Sequence, residues 1–367
     1  MFIKSLHLSG FRNYQEWETE LSPGLTVLVG ANASGKTNAL EAVQLVTTGV
    51  SFRNPRWEDL VRWGEEGAEI AASFSSEATS TQVQIRVTRD GRRSCLINGV
   101  AKRRVSDVAG ILPTVLFTPD DLDLVKGPAE MRRSAIDDLG DQLSKTYGSI
   151  RRDYAKVVRH RNTLLREWRA GVEDLDPWNI QVASLGSKLL THRRRLLLRV
   201  VHHAAAAYKD LADGEELSVL YNDHCGLGSI PLDVEVTIDE AERAIIETLK
   251  GRAADEIVRH VTLVGPHRDD IVFLLGGRNA RTFASQGQQR TIALAWTLAK
   301  VAVVEDIARK KPILLLDDVM SELDEDRRRA LTSLVQKDVQ TIISTTNTGY
   351  FDTKLLKQAV VVEIPGK

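Results

Sequence analysis

The feature that most constrains this chain is an eight-residue stretch at 30–37, GANASGKT, which follows an apolar run at 25–29. Glycines let such a loop turn tightly, so that successive backbone N–H groups point inward at an anion. The pattern that follows is helical, and a helix N-terminus adds a partial positive charge. A strand, a loop and a helix in this order predict a phosphate-binding loop. Its residues are Gly30, Ala31, Asn32, Ala33, Ser34, Gly35, Lys36 and Thr37.

Two side chains of this loop have specific roles in the chemistry of nucleotides. We expect Lys36 to reach the β- and γ-phosphates and the Thr37 hydroxyl to hold Mg²⁺. The plainer interpretation is a Gly-rich turn without a ligand, and the flanking strand and helix patterns disfavour it. The sequence therefore predicts a nucleotide-binding protein.

The acids that such a site needs end an apolar strand pattern at 312–318, PILLLDD. Asp317 would orient Mg²⁺ and its water shell, and Asp318 lies where a carboxylate can polarise the attacking water. A buried strand that merely ends in two acids is the alternative. With the phosphate loop upstream, we predict Lys36, Asp317 and Asp318 as catalytic residues and Thr37 and Asp317 as metal ligands.

A third motif, ASQGQQR at 284–290, opens a strongly apolar helix pattern. A Ser and a Gly at a helix N-terminus form an anion seat by the same dipole argument, although a plain Ser-capped helix remains the alternative. One nucleotide needs only one γ-phosphate cradle within a chain, so a second cradle suggests the nucleotide of a partner subunit. This is similar to the ABC-type ATPases, in which two subunits enclose two ATP molecules. The residues of this predicted cradle are Ser285, Gln286, Gly287 and Gln288.

Between these motifs the chain changes character. Alternating apolar residues predict strands at 3–8 and from 68 to 117, whereas 130–215 has helical spacing consistent with two long antiparallel helices. Further short strands are expected at 217–221 and 232–238, followed by a helix capped by Asp239 with Glu242 three residues on. We predict an ATPase head formed by 1–117 and 291–367, with a largely helical arm at 118–290.

The predicted arm carries a local excess of positive charge, although the whole chain of 367 residues has a net charge of only −1. Over 151–200 there are 12 Arg and Lys against 5 Asp and Glu. Two interpretations stay open: a solvated helical face, or a patch that binds the phosphate backbone of a nucleic acid. Aromatic residues are few in this region, so stacking on single-stranded bases is not supported.

The remaining bulk features exclude several classes of protein. The two cysteines, Cys95 and Cys225, lie far apart and have no zinc-ligand spacing, which argues against a disulfide framework or structural zinc. The N-terminus lacks the apolar region of a signal peptide, and no run is long enough to span a membrane. We therefore expect a cytoplasmic protein that has no membrane partner.

Six motifs together resemble the bacterial RecF family over essentially the whole chain. They are FRNY at 11–14, the loop at 30–37, FTPDDL at 117–122, GPHRDD at 265–270, the motif at 285–290, and DDVMSELD at 317–324. RecF proteins are similar to SMC-type chromosome proteins in their ATPase head but lack the long coiled coil. The resemblance implies an α/β fold, namely an ABC-type P-loop ATPase head with mixed sheets plus a second, largely helical arm domain.

The resemblance also implies a function. It predicts an ATP- and Mg²⁺-dependent homodimer that binds DNA, both duplex and single-strand gap junctions, and is a weak DNA-stimulated ATPase. Its partners would be RecR and RecO, and RecA indirectly, in repair, recombination, replication restart and the SOS response. By the same resemblance, Arg12 and Asn13 would contact the nucleotide, Ser285 would touch the γ-phosphate held by the opposite subunit, and Asp324 would lie on the loop that crosses the dimer interface.

Two departures from the general ABC pattern bear on mechanism. Thr118 stands where transporters keep a Gln, and the strand pattern at 339–344 leads to Thr345, Thr346 and Asn347 rather than to a switch His. Because Asp318 is also one methylene shorter than Glu, we expect slow hydrolysis, with ATP as a dimerisation switch. The alternatives are an SMC-like structural chromosome ATPase, an ABC transporter subunit and, least favoured, a P-loop kinase or GTPase.

Overall fold

The chain forms two compact units in a computed structural model that describes residues 1–76, 79–167, 175–212, 214–228, 230–335 and 339–364. The head unit comprises Met1–Asp121 and Val304–Lys367, and the arm unit comprises Leu122–Val303. The predicted boundaries at 117 and 290 differ from these. The second falls inside one continuous helix, Gln286–Ala308, so the sequence motif that opens this helix does not mark the end of the unit.

The strands of the described residues are β1 Phe2–Phe11, β2 Tyr14–Glu20, β3 Leu25–Val29, β4 Gly67–Ser75, β5 Ser80–Thr88, β6 Arg93–Ile97, β7 Val100–Lys102, β8 Thr114–Phe117, β9 Leu217–Asn222, β10 Asp270–Leu275, β11 Arg278–Asn279, β12 Ile313–Asp317, β13 Thr341–Thr345 and β14 Val360–Glu363. The helices are α1 Lys36–Thr48, α2 Ala129–Leu143, α3 Lys145–Arg166, α4 Asp176–Leu211, α5 Ile238–Arg259, α6 Ala280–Phe283, α7 Gln286–Ala308, α8 Glu325–Val335 and α9 Thr353–Gln358.

Two sheets build the head unit. A five-stranded sheet has the order β14-β3-β13-β12-β8, and its neighbouring strands run parallel. Its inner strands are apolar along most of their length, as expected of a parallel sheet covered on both faces. A six-stranded antiparallel sheet has the order β2-β1-β4-β5-β6-β7. The α/β head with both kinds of sheet is confirmed.

The head has one continuous apolar core. The alternating side chains of the antiparallel sheet, such as Leu6, Ile70 and Ile85, are buried together with the apolar face of α1 and residues of the parallel sheet. This burial explains why the alternation in the sequence predicted these strands, because period-two patterning places one face of a sheet in a core. The N-terminal strand is also fastened to the parallel sheet: Gln340 accepts a hydrogen bond from the Ile3 N–H at 2.8 Å and donates to the Ile3 carbonyl at 2.7 Å.

The arm unit consists of helices α2 to α6 and most of α7, with the small sheet β11-β10-β9. Its longest helix, α4, packs against both α3 and α5. Two local predictions are wrong here. Of the predicted strand 232–238, residues 232–237 form turns and coil, and Ile238 begins α5. The cap of α5 is Thr237, whose hydroxyl accepts from the Glu240 N–H at 3.2 Å while the Glu240 carboxylate accepts from the Thr237 N–H at 2.9 Å.

Thr237 rather than Asp239 caps α5 for a simple reason. Both pairs, Thr237–Glu240 and Asp239–Glu242, fit the spacing of a capping box, so spacing alone does not choose between them. The box that forms pairs a Thr with a Glu, and only this one satisfies two backbone donors reciprocally at the helix start.

A charged pair is buried inside the arm. The guanidinium of Arg161 and the carboxylate of Glu256 are both 0% exposed, and Arg161 Nη2 lies 2.6 Å from Glu256 Oε2. Arg161 also donates to Thr262 Oγ1 at 2.9 Å and to Asn179 Oδ1 at 3.0 Å. Such pairs tie α3 to α5 because a buried charge must keep its partner.

The GPHRDD motif contributes to the same interior. The hydroxyl of Tyr154 and Nδ1 of His267 are 2.7 Å apart, and Nε2 of His267 is 3.1 Å from the Thr262 carbonyl oxygen. Asp269 accepts from the Tyr221 hydroxyl at 2.6 Å and from the His224 N–H at 2.7 Å. These contacts assign His267 and Asp269 to the packing of the arm.

In the part of the chain that the structure describes, no helix is both long and apolar enough to cross a bilayer.

Replacing Glu256 with Gln should lower the free energy of unfolding by about 3 kcal/mol or more, because Arg161 then stays buried without a counter-charge. Thermal unfolding of the two proteins measures the effect. Glu247→Gln, an exposed change on the same helix, is the matched control and should stay within about 0.5 kcal/mol of wild type. Equal losses of unfolding free energy in the two variants would show that the buried Arg161–Glu256 pair makes no particular contribution to stability.

Burial lowers the pKa of His267 to about 4, whereas a histidine in an unfolded chain titrates near 6.5. Between these pH values the unfolded chain takes up a proton that the folded chain does not, so stability should fall as the pH drops from about 6.5 to about 4. His267→Asn should remove this component. The urea midpoints of wild type and variant should therefore approach each other on acidification, and a constant gap would contradict the assignment.

Candidate nucleotide-binding site

The phosphate loop joins β3 to α1 with the conformation that the motif predicts. Gly35 has φ 117°, and a Cβ atom there would lie 2.4 Å from Asn13 Nδ2. A Cβ atom on Gly30 would lie 2.8 Å from the carbonyl oxygen of Ile364. Only glycine fits at either position, because backbone or a fixed amide occupies the space. The loop is thereby held in a tight turn at the carboxyl end of a buried strand.

Lys36 and Thr37 stand at the start of α1. The ammonium of Lys36 donates to the carbonyl oxygens of Gly30 and Ala31 at 2.8 and 2.9 Å, so it closes over the loop. The Thr37 hydroxyl donates to Asp317 Oδ1 at 2.9 Å. Ser344 at the end of β13 donates to the same carboxylate oxygen at 2.7 Å. The structure therefore brings together the two predicted metal ligands from opposite ends of the chain.

Asp318 follows Asp317 in a strained position. Its φ is 49°, and its N–H donates to the carbonyl and the hydroxyl of Ser344 at 3.2 and 3.0 Å. Its Oδ1 atom is buried without a hydrogen-bond partner. Burial, together with the neighbouring Asp317, raises the pKa of Asp318, and the charge of Lys36 opposes this shift. Strain and an unpaired buried acceptor are typical of functional positions.

Asn13 supports the loop from the antiparallel sheet. Its amide donates to the Ser34 carbonyl at 2.8 Å, and its oxygen accepts from Asn38 at 2.7 Å. The hydroxyl of Tyr14 adds a bond to the Gly35 carbonyl at 3.0 Å. Asn13 thus contacts the loop directly, at the residues that would surround a phosphate.

Arg12 is held by a residue that the sequence analysis did not single out. Its Nε and Nη2 atoms donate to the two oxygens of Glu41 at 2.9 and 2.7 Å. Glu41 lies on α1, is 0% exposed, and also accepts from the Ser51 hydroxyl at 2.5 Å. The available signal was a lone acid among the apolar residues of α1, since a buried carboxylate requires a partner. Ser344 carried no comparable signal.

The third motif lies in the arm unit and begins α7. Ser285 Oγ accepts from the Gln288 N–H at 3.2 Å, while Gln288 Oε1 accepts from the Ser285 N–H at 2.8 Å. This is a capping box, which fixes the Ser285 side chain at the helix N-terminus. Ser285 and Gln286 are exposed and Gly287 is half-buried. The residues of the predicted anion seat therefore lie at an exposed helix start, with the Ser285 hydroxyl fixed by the cap.

The loop that follows the Asp pair also has a defined geometry. Asp324 Oδ1 accepts from the Arg327 N–H at 3.0 Å at the start of α8, and its carboxylate forms an ion pair with Arg327. Arg328 donates to the Met320 carbonyl at 2.8 Å and lies over the ring of Tyr350. These contacts fix the conformation of residues 320–328, which follow Asp317 and Asp318 in the sequence.

The residues of the head fit a magnesium-bound nucleoside triphosphate. Two glycines leave room for oxygens at the loop, Lys36 supplies a cation, and Thr37 and Asp317 offer two oxygen ligands of the kind that Mg²⁺ prefers. The buried hydroxyl of Ser34 has no partner and adds a further donor at the loop. A phosphate loop on β3 and an Asp pair on β12, with β13 between these strands, define the head as that of a P-loop ATPase.

The chain matches the RecF/RecN/SMC N terminal domain over residues 2–363. It is 38% identical to the DNA replication and repair protein RecF of Heliobacterium modesticaldum over 99% of this chain and 97% of that protein. It is 37% identical to RecF of Synechococcus sp. (strain JA-2-3B'a(2-13)) over 100% and 97%. The chain therefore belongs to the RecF family.

Solved structures agree with this assignment. The recombination mediator protein RecF-ATPrS in the RecFOR pathway gives a TM-score of 0.89 at 27% identity, over 96% of this chain and 94% of that one. An SmcHead bound to the C-winged helix domain of ScpA gives a TM-score of 0.56 at 19% identity, over 99% and 94%, and shares the fold. The resemblance to the RecF family that the motifs indicated is confirmed.

Asp317→Asn should weaken the binding of a magnesium nucleotide about tenfold or more, a change of about 1.4 kcal/mol, because one ligand loses its charge. Titration of a fluorescent ATP analogue with Mg²⁺ and with EDTA separates the metal from the nucleotide. The loss should appear only with Mg²⁺. Glu325→Gln, an exposed acid on α8, is the control, and equal weakening in EDTA would argue that Asp317 holds the loop rather than the metal.

Proposed function

We propose that this protein is an ATP-dependent DNA-binding recombination mediator. It binds ATP with Mg²⁺, forms a homodimer in the ATP state, binds DNA at single-strand gaps, and helps RecR and RecO to load RecA in repair, replication restart and the SOS response. The observation that carries the proposal is the Thr37–Asp317 contact beneath a complete phosphate loop. The RecF structures with ATP and ATPrS, described as part of the RecFOR pathway, support it.

Within this proposal each residue of the head has a physical task. The backbone of Gly30, Ala31, Asn32, Ala33, Ser34 and Gly35 surrounds the phosphates. Lys36 would exchange its two carbonyl bonds for phosphate oxygens, and Thr37 and Asp317 would hold Mg²⁺, whose charge would be neutralised against that of the phosphates. Asn13 holds the loop in its conformation. Arg12, which is paired with Glu41, contacts the nucleotide.

Slow hydrolysis follows from the base and its surroundings. Asp318 is one methylene shorter than Glu, so its carboxylate reaches less far towards an attacking water. Where transporters carry a switch His, this chain has Thr345, Thr346 and Asn347. The Thr345 hydroxyl donates to the Asn347 carbonyl at 3.0 Å. We propose a weak, DNA-stimulated ATPase whose turnover stays well below the roughly 10 s⁻¹ typical of enzymes.

Dimerisation would complete the site. The Ser285–Gln288 box presents Ser285, with Gln286 and Gly287, at the N-terminus of α7, where the helix favours an anion. In the proposed dimer this seat contacts the γ-phosphate bound to the partner's loop, and Asp324 lies at the interface. ATP then stabilises the dimer because its terminal phosphate bridges two subunits, and hydrolysis releases them.

Molar mass in solution tests this proposal directly. Light scattering with ATP, with ADP and without nucleotide should show a doubled mass with ATP alone. Ser285→Arg should stay monomeric, because its side chain fills the seat, while still binding ATP. Ser94→Arg, an exposed change on β6, serves as the control and should dimerise. A mass that is indifferent to ATP in the wild type would refute the switch.

A further inference from the structure

The structure separates most of the basic residues of 151–200 into two groups with different roles, and Lys188 and Arg199 of α4 belong to neither group. Arg161, Arg193 and Arg194 are buried and bonded to carboxylates, side-chain oxygens or carbonyls. Arg151 and Arg195 are ion-paired, at 2.6 Å to Asp141 and 2.7 Å to Glu235. These five arginines account for part of the positive charge of 151–200, because three of them pack in the interior and two form ion pairs with acids. Arg169 lies outside the described residues.

The second group, together with Lys145 at the start of the helix, forms one line on α3. We define the α3 stripe as Lys145, Arg152, Lys156, Arg159 and Arg166, all of which are exposed. Their spacings of seven, four, three and seven residues repeat the helical period, so the five side chains share one face. Within the described ranges, none of them forms an ion pair with an acid.

The opposite face of α3 faces the arm's interior. Its buried residues include Tyr147, Tyr154, Val157 and Leu165. The acids in and next to α3 lie at the margins of the stripe. Asp153 lies beside it and accepts from the Ser149 hydroxyl at 3.4 Å, and Glu167 follows the last residue of the helix. A face that needs only solvation would mix both signs, as α5 does with Glu240, Glu247 and Asp255 among its basic residues.

The shape and chemistry of the stripe indicate its ligand. The stripe spans 21 residue steps, about 31 Å at 1.5 Å per residue, which approaches one turn of a DNA duplex, about 34 Å. Lysines and arginines without carboxylate partners bind phosphates and carry no sequence code. The two tyrosines of α3 are buried and the helix exposes no Phe, Tyr or Trp, so it offers no platform for unstacked bases.

We propose that the α3 stripe is a docking surface for the phosphate backbone of duplex DNA. This inference rests on the proposed function, because it assigns the DNA contact of the mediator to one helix of the arm. It places the duplex part of a gapped substrate on the arm, independently of base sequence. It also assigns no DNA contact to the buried arginines of α3 and α4.

The test compares two triple variants of equal charge. Arg152→Gln, Lys156→Gln and Arg159→Gln remove the centre of the stripe, and Arg243→Gln, Lys250→Gln and Arg259→Gln remove three exposed charges of α5. Glutamine preserves helix propensity in both. Binding of a 30-base-pair duplex is followed by fluorescence anisotropy with ATP present, at several salt concentrations, and the molar mass with ATP is measured on the same samples.

The stripe variant should bind duplex at least tenfold more weakly at 0.1 M salt. Its plot of log affinity against log salt should lose up to about 0.9 in slope for each phosphate contact removed. The α5 variant should match wild type in both respects. Arg152→Lys with Arg159→Lys should retain the slope, since the charge is kept.

Three outcomes would count against the proposal, and they separate it from the proposed function. If the stripe variant binds duplex as wild type does, while both dimerise with ATP, the docking surface is wrong and the ATP switch stands. If both triple variants weaken binding equally, the effect is one of net charge and the stripe has no special role. If wild type with ATP does not bind duplex at all, the DNA-binding part of the proposed function fails together with the stripe.

Discussion

The contact between Thr37 and Asp317 is the interaction on which the head depends. It joins the first turn of α1 to the end of β12, and Ser344 at the end of β13 shares the same carboxylate oxygen. Three adjacent parallel strands, β3, β13 and β12, therefore deliver their functional groups to one edge. Parallel pairing makes this unavoidable, because the carboxyl ends of parallel strands meet at the same side of a sheet.

A second set of contacts fixes the loop from outside the parallel sheet. Asn13 and Tyr14 bond to the backbone of the loop, and Arg12 forms a bidentate pair with Glu41 in the buried face of α1. Arg12 and Asn13 form the turn between the first two strands of the antiparallel sheet, and Tyr14 begins the second of these strands. The small sheet beside the nucleotide loop is thus part of the site, since it positions the groups that surround the phosphates before any ligand arrives.

Much of the site could be predicted from the sequence because its chemistry depends on local patterns. The phosphate loop, the acids after an apolar strand and the helix-opening serine are each contiguous motifs, and each folds as its pattern indicates. Glu41 and Ser344 were missed because their roles depend on contacts between distant segments. Spacing alone also failed at α5, where two overlapping pairs fit a capping box and Thr237 formed it.

The basic segment of the arm shows the same limit. Its net charge was visible in the sequence, but charge counts do not distinguish Arg161, which is buried against Glu256, from Arg159, which is exposed two residues earlier. Helical periodicity could have separated the two faces of α3. Which arginines have carboxylate partners required the fold, because those partners come from α2, α5 and the segment before α5.

The central claim is that two subunits build each complete site, and a complementation assay tests it most directly. Lys36→Ala damages the loop and keeps the seat, whereas Ser285→Arg keeps the loop and blocks the seat. In a mixed dimer one site combines an intact Lys36 with the partner's intact Ser285. ATP hydrolysis should therefore be absent in each variant alone and return in part on mixing. A mixture as inactive as its components, with both proteins folded, would contradict a shared site.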